Sequence, residues 1–212
     1  MGSIRFRRLA MVAAPALVAV ALGCGGPKTS VTQTWKANVP TAPPPMKSIL
    51  VFAAKMDDTN RRAFEDAFAQ RLARYGVVAK PSYELFPAEL PDPAAARAAA
   101  EHANVEGILV VTNQGTKEVS TYVPGAYAGD FWGGYYGAPT GMGAYTPGYV
   151  ATAEIASLEM TLWDARVQPG GRLVWSAATR TTEPSPDGKF TKSVVEKVVP
   201  EIAKAGLIPR EG

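Results

Sequence analysis

One cysteine, Cys24, and one histidine, His102, set narrow limits on the chemistry open to this chain. They leave no Cys/His cluster of the kind that holds zinc, and no cysteine–histidine dyad once Cys24 is assigned to the N-terminal segment. A Ser-His-Asp triad would need His102 to face a serine and a carboxylate across space. His102 instead falls near the end of an alanine-rich helix, where a positive side chain complements the helix dipole. The carboxylates remain. Asp57-Asp58 stands between a strand and a helix and reads as helix capping, with a cation site or a carboxylate pair as the other reading. Glu154 and Glu159 lie near or on a hairpin, Glu159 alternating with apolar neighbours and so on a polar strand face. Asp57 and Glu154 are the groups a carboxylate-dependent glycan hydrolase would use. Arg61-Arg62 reads as the exposed start of the first helix. Gly141-Met-Gly143 neither follows a clear strand nor opens a helix, so it makes no phosphate cradle. No metal and no cofactor is expected, and the chain reads as a non-enzyme.

The elements that must position these residues begin with an address. Arg5-Phe-Arg7-Arg8 precedes the apolar run 9–22, which ends at Gly23-Cys24. Basic residues, about a dozen apolar ones and then small residues make a secretory signal, and the run is short of the roughly 20 residues a membrane span needs. Ala21-Leu22-Gly23-Cys24 resembles the lipobox of bacterial lipoproteins, which implies a signal peptide over 1–23 and lipidation of Cys24. Ala21-x-Gly23 also satisfies ordinary signal peptidase. The signal carries three of the 22 basic residues and none of the 19 acidic ones. Its removal balances the charge, so the chain keeps no basic footprint for nucleic acid.

Residues 24–47 are small, polar and proline-bearing, with Pro40, Pro43, Pro44 and Pro45. They read as a disordered, extended tether. Within it Trp35 either docks on the domain as a latch or meets a partner. The domain is expected over 48–212. Ile49-Leu-Val-Phe-Ala53 is an apolar run of the kind covered on both sheet faces. Phe64, Phe68, Leu72 and Tyr75 recur at helical spacing up to Gly76. Residues 77–85 form a second strand that Pro81 confines to an edge or end. Pro91-Asp-Pro93 opens the alanine-rich helix, and 107–112 is a third buried strand. Leu158, Met160 and Leu162 alternate with polar residues, and 168–171 turns the chain into Arg172-Leu-Val-Trp-Ser176, its antiparallel partner. Phe190, Val194, Val198 and Ile202 stripe a last helix, which Pro200 is expected to kink. The sum is an α/β fold: a mixed sheet, parallel over β-α-β-α-β and extended by an antiparallel β-hairpin, with packed helices.

Between 122 and 149 the composition changes: six of the eight tyrosines fall here, with a single charge, Asp130. Tyr122, Tyr127, Phe131, Trp132, Tyr135, Tyr136, Tyr145 and Tyr149 offer large contact area at low side-chain entropy cost, on an adaptable glycine backbone. They are the candidate partner-binding residues, for a protein, a glycan or the membrane interface. The plain alternative is an insertion that covers the sheet.

Ser48-Ile-Leu-Val-Phe, Asp57-Asp-Thr-Asn-Arg61, the helix ending at Tyr75-Gly76, Glu106-Gly-Ile-Leu-Val-Val111, Leu158-Glu-Met-Thr-Leu-Trp163 and Arg172-Leu-Val-Trp-Ser176 together resemble a known group. These are bacterial periplasmic lipoproteins whose α/β domain is similar to the N-terminal domain of TolB, among them LpoB and CsgG. The likeness spans about 48–206, and the Tyr/Gly insertion departs from it. It implies a non-catalytic domain that binds other envelope proteins. The expectation is a lipid-anchored module facing the periplasm from the outer membrane, with an envelope protein or peptidoglycan as partner. A structural subunit of an envelope export or assembly complex is the alternative in another class.

Overall fold

The computed structural model describes residues 26–38, 43–87, 91–128, 144–167, 171–185 and 188–212. Cys24 lies outside them.

The apolar run after Lys47 forms β2 (Ser48–Ala54), and every residue from Ile49 to Ala53 is buried. Alternate side chains face opposite ways along a strand, so such a run needs cover on both sides. Ile49, Val51 and Ala53 join a large core beneath α1 (Asp58–Ala73) and α3 (Lys189–Lys204). Leu50 and Phe52 point the other way, to a smaller cluster with Ala100 of α2 (Pro93–His102) and Val105. Helices thus cover both faces of β2.

The sheet order is β1-β8-β7-β4-β2-β3. Strands β3 (Val78–Pro81) and β4 (Gly107–Val123) flank β2 in parallel. Strands β7 (Tyr149–Asp164) and β8 (Arg172–Thr182) continue the sheet in antiparallel register. The mixed α/β sheet with a parallel part and an antiparallel hairpin is therefore the observed fold. Pro81 sits on the edge strand, where its missing N–H costs no ladder bond. The expected caps are in place. Asp57 accepts from the Asn60 amide at 3.0 Å, and Asp92 accepts from Ala94 and Ala95 at 2.9 and 2.8 Å. Gly107 has no room for a side chain: a Cβ there would lie 2.5 Å from the Met46 sulfur. Helix α3 runs through Pro200 from Lys189 to Lys204.

Two expectations are corrected. The first is the tether over 24–47. Lys28–Lys36 is a strand, β1, paired antiparallel with β8 along its length. Pro27 precedes it and the other prolines lie beyond it, at Pro40 and Pro43–Pro45, so they bound the strand and leave it intact. Thr29, Val31, Thr32 and Thr34 are β-branched residues suited to a pleated surface. Thr29 and Val31 face the core, and the Thr29 and Thr181 hydroxyls hydrogen-bond at 2.7 Å. A bulge between Val31 and Gln33 then turns Gln33 and Trp35 to the opposite face. Strand pairing, and not a Trp35 latch, fixes this segment, and the folded region begins before residue 48.

The second correction concerns Arg61. It is 3 % exposed, and Glu65 is fully buried. Glu65 accepts from the Ala53 amide at 3.0 Å, the Ser82 hydroxyl at 2.6 Å, Arg61 Nε at 3.3 Å and the Tyr83 amide at 2.9 Å. Arg61 also donates to the Phe86 carbonyl at 2.6 Å. The pair ties α1, the end of β2 and the turn after β3 together. Only Arg62 has the surface position expected of both.

Candidate functional site

Strands β4 and β7 pair far beyond the rest of the sheet. The parallel partner of β4 ends where Ala54 meets Thr112, and the partner of β7 ends where Thr182 meets Ile155. The β4–β7 ladder continues from Lys117↔Ile155 to Val123↔Tyr149, so the outer part is a two-stranded ribbon. A bulge at Asn113–Thr116 marks its root. There Gly115 takes φ +93°, and its amide donates to the Asn113 side chain at 2.9 Å.

Directly opposed residues share a face. One face carries Lys117/Ile155, Val119/Ala153, Thr121/Ala151 and Val123/Tyr149. The other carries Glu118/Glu154, Ser120/Thr152 and Tyr122/Val150. Charges therefore stop at the root: from 119 to 153 the sequence holds only Asp130. Val119, Tyr122, Tyr149 and Val150 are large apolar or aromatic side chains left exposed, Tyr122 at 66 % and Tyr149 at 57 %. A Cβ on Gly148 would overlap the Tyr122 hydroxyl and crowd the Gly125 amide, so the ring lies across that glycine.

Of the aromatic residues singled out in the sequence, the structure thus places Tyr122 and Tyr149 at adjacent register positions on opposite ribbon faces. Tyr127 and Tyr145 are paired in a further small hairpin, β5 (Ala126–Ala128) with β6 (Ala144–Thr146). Phe131, Trp132, Tyr135 and Tyr136 lie outside the described residues.

Beside the ribbon root, at the carboxyl ends of the parallel strands, is a cleft of about 660 Å³. Open α/β sheets commonly bind ligands at such ends. Lys55, Asp57, Asn113, Glu154 and Ser185 are among its lining residues, so the structure does bring Asp57 and Glu154 to one cleft. Asp57 is committed to its cap. Hydrogen bonds from the Asn60 backbone and side chain hold its carboxyl below the usual range, opposite to what a general acid needs. Among the described residues no group of His, Cys, Asp or Glu is placed to hold a metal ion. His102 closes α2 as its last residue.

The sheet face opposite α1 and α3 is covered by α2 only over β2 and β4. Across β1, β8 and β7 no helix among the described residues covers it. Trp35, Ser176 and Thr161 form one row there, and Gln33, Ala178 and Glu159 another. Glu159 accepts from Gln114 at 2.9 Å, on the polar face expected for it. Trp163, two residues from Thr161 on the same face, donates its indole N–H to the Thr161 hydroxyl at 3.2 Å. Both Trp35 and Trp163 are exposed. The strand alternation around Trp163 carried this signal in the sequence, but nothing local distinguishes an open sheet face from one covered by a helix.

The molecule is thus a mixed α/β domain with helices on both sides of β2, an open face and a projecting ribbon. No family model and no curated protein matches the chain. Among solved structures it is similar to PelC of Paraburkholderia phytofirmans, a dodecamer in its crystals, with 16 % identity and a TM-score of 0.43 over 79 % of this chain and 96 % of that one. It is also similar to the lipoprotein GNA1162 of Neisseria meningitidis (14 %, 0.40, covering 74 % and 98 %). A minor lipoprotein of Acinetobacter baumannii gives 12 % and 0.30, covering 77 % and 96 %.

Proposed function

We propose that this chain is a lipoprotein of the bacterial envelope, anchored through Cys24. Its domain is a non-catalytic module that binds an envelope protein or peptidoglycan, and it faces the periplasm from the outer membrane. The N-terminal sequence supports the anchor. The TolB N-terminal-like resemblance, with LpoB and CsgG in the group, supports a binding role. The observation that carries the reading is the distribution of exposed aromatic groups. Tyr149 and Val119 lie on the ribbon face that runs on into the sheet face carrying Trp163 and Trp35, with Lys117 and Glu159 between the two groups. Such a surface offers contact area and no convergent reactive groups.

The test has two parts. Cys24→Ala is expected to abolish lipid labelling and release the protein into the periplasm; retention in the membrane would favour an uncleaved N-terminal helix. Crosslinking and pull-down then compare the wild type with a 122–149 deletion and with a Trp35→Ala/Trp163→Ala variant. Loss of the same partner in either variant assigns the surface, and unchanged recovery in both rejects these surfaces. A second reading, a subunit of an export or assembly complex, draws on the ribbon edges, which pair with no third strand among the described residues. It predicts that the deletion lowers the sedimentation coefficient beyond its mass.

A further inference from the structure

The start of β1 and the ribbon lie at the same end of the sheet. Lys28 is in register with Thr182, Thr182 with Ile155, and Ile155 with Lys117. The first residue of β1 and the root of the ribbon therefore share one row across four strands. Traced backwards from Lys28, the chain heads in the direction the ribbon projects. It remains tied to the domain as far as Pro27, whose carbonyl accepts from the Ser193 hydroxyl at 3.2 Å.

Reach follows from the row. Cys24 is four residues from Lys28, at most about 14 Å at full extension. From Lys117 to Val123 the ribbon advances six residues, about 20 Å. Two steps of sheet twist separate β1 from β7 and tilt the ribbon by roughly 50°, which leaves about 13 Å along the direction of β1. The end of the ribbon at Val123 and Tyr149, from which residues 124–148 continue, advances about as far as the longest tether allows. A bilayer that holds acyl chains on Cys24 lies within reach of that tip.

The chemistry of the tip suits that position. Apart from Asp130, charged residues stop at Lys117, Glu118 and Glu154. Beyond them stand exposed Val119, Tyr122, Tyr149 and Val150. Tyrosine prefers the membrane interface, with its ring toward the acyl region and its hydroxyl in water. An isolated two-stranded ribbon is marginal in water, so a surface that covers an apolar face supports it.

We infer that the ribbon rests in the interface of the bilayer that carries the anchor, with Tyr122 and Val150 of one ribbon face as its lipid contacts. The lipid chain and the ribbon make a two-point attachment that fixes the orientation of the domain and turns the open face with Trp35 and Trp163 to the side. This assignment rests on lipidation of Cys24.

The experiment uses the full lipidated protein in vesicles of phosphatidylethanolamine and phosphatidylglycerol. Lipidation consumes the only native thiol, so single cysteines at Tyr122→Cys, Val150→Cys and, at the opposite end of the sheet, Glu101→Cys accept an environment-sensitive fluorophore cleanly. Labels at 122 and 150 are expected to emit to the blue and lose most of their intensity to a lipid-borne nitroxide, while the label at 101 does neither. If mass spectrometry shows the diacylglyceryl group and the protein floats with vesicles, but no label is quenched, the ribbon assignment falls and the anchor stands. If the diacylglyceryl mass is absent, both fall. A blue shift without quenching, accompanied by self-association that Tyr122→Ser/Val150→Ser abolishes, assigns the ribbon to a second copy and overturns the lipid contact.

Discussion

Glu65 shows how much a single side chain can hold together. Its two oxygens receive four hydrogen bonds, from Ala53, Arg61, Ser82 and Tyr83, joining a helix, a strand end and a turn. Removing one partner of a buried pair leaves the other uncompensated, so Glu65→Ala is expected to cost about 3–5 kcal/mol, read from urea unfolding. A loss under about 1 kcal/mol would show that Arg61 finds water or another acceptor. Arg61-Arg62 looks in sequence like a pair of exposed charges, because burial of one of two adjacent arginines depends on an acceptor 4 residues on and on Ser82 and Phe86 from another element. Asp164 is the second such carboxylate. Burial alone would raise its pKa, but the side-chain and backbone hydrogen bonds of Arg166 outweigh that and hold it below the usual carboxylate value. With the folded pKa depressed, its contribution is fully present above about pH 4 and is lost as pH falls toward the folded value. Asp164→Asn is therefore expected to cost about 1–3 kcal/mol at pH 7 and to flatten the acid limb of stability against pH. An acid limb identical to wild type would remove Asp164 from the account.

At the scale of elements, helices α1, α2 and α3 and the buried parts of β2, β4, β7 and β8 were legible because each has a local cause. Asp57 and Asp92 cap their helices, Gly76 takes φ +72° past α1, and the alternation of Leu158, Met160 and Leu162 puts three side chains in the core. Strand β1 was not legible, because its neighbours in sequence are proline-rich and its partner, β8, lies about 150 residues away, as in the Ser30–Arg180 contact. Its alternation is also broken at the bulge after Val31, so no single face runs through it. Deleting 26–36 should uncover Thr179 and Thr181, both buried, along with the inner edge of β8. The expected loss is on the order of 2 kcal/mol or more, with a lower unfolding midpoint and a new tendency to aggregate through the freed edge. An unchanged midpoint would mean that β1 adds nothing to the fold. The long ribbon was hidden for a similar reason. Residues 113–123 are polar or mixed, and they become a strand only because β7 runs beside them to Tyr149.

For the whole molecule, the decisive change is the length of the connection between Cys24 and the fold. A tether over 24–47 would let the domain range far from a membrane; a sheet that begins at Lys28 holds it within four residues of Cys24. Inserting about 20 Gly/Ser residues after Gly26 restores roughly 25 Å of random-coil reach. That insertion should weaken lipid quenching of a label at residue 122 while leaving flotation intact. Equal quenching with and without the insert would show that the ribbon holds lipid independently of the short tether. The sequence by itself determined the scarcity of histidine and cysteine and the α/β class, because these depend on composition and on periodicities within one element. Tertiary structure alone decided that Arg61 is buried, that 28–36 is a strand, and that Tyr122, Tyr149 and the start of β1 share one end of the sheet. Those facts are set by which strands are neighbours and in what register, and pairing between residues 28 and 182 leaves no trace in the local pattern of either.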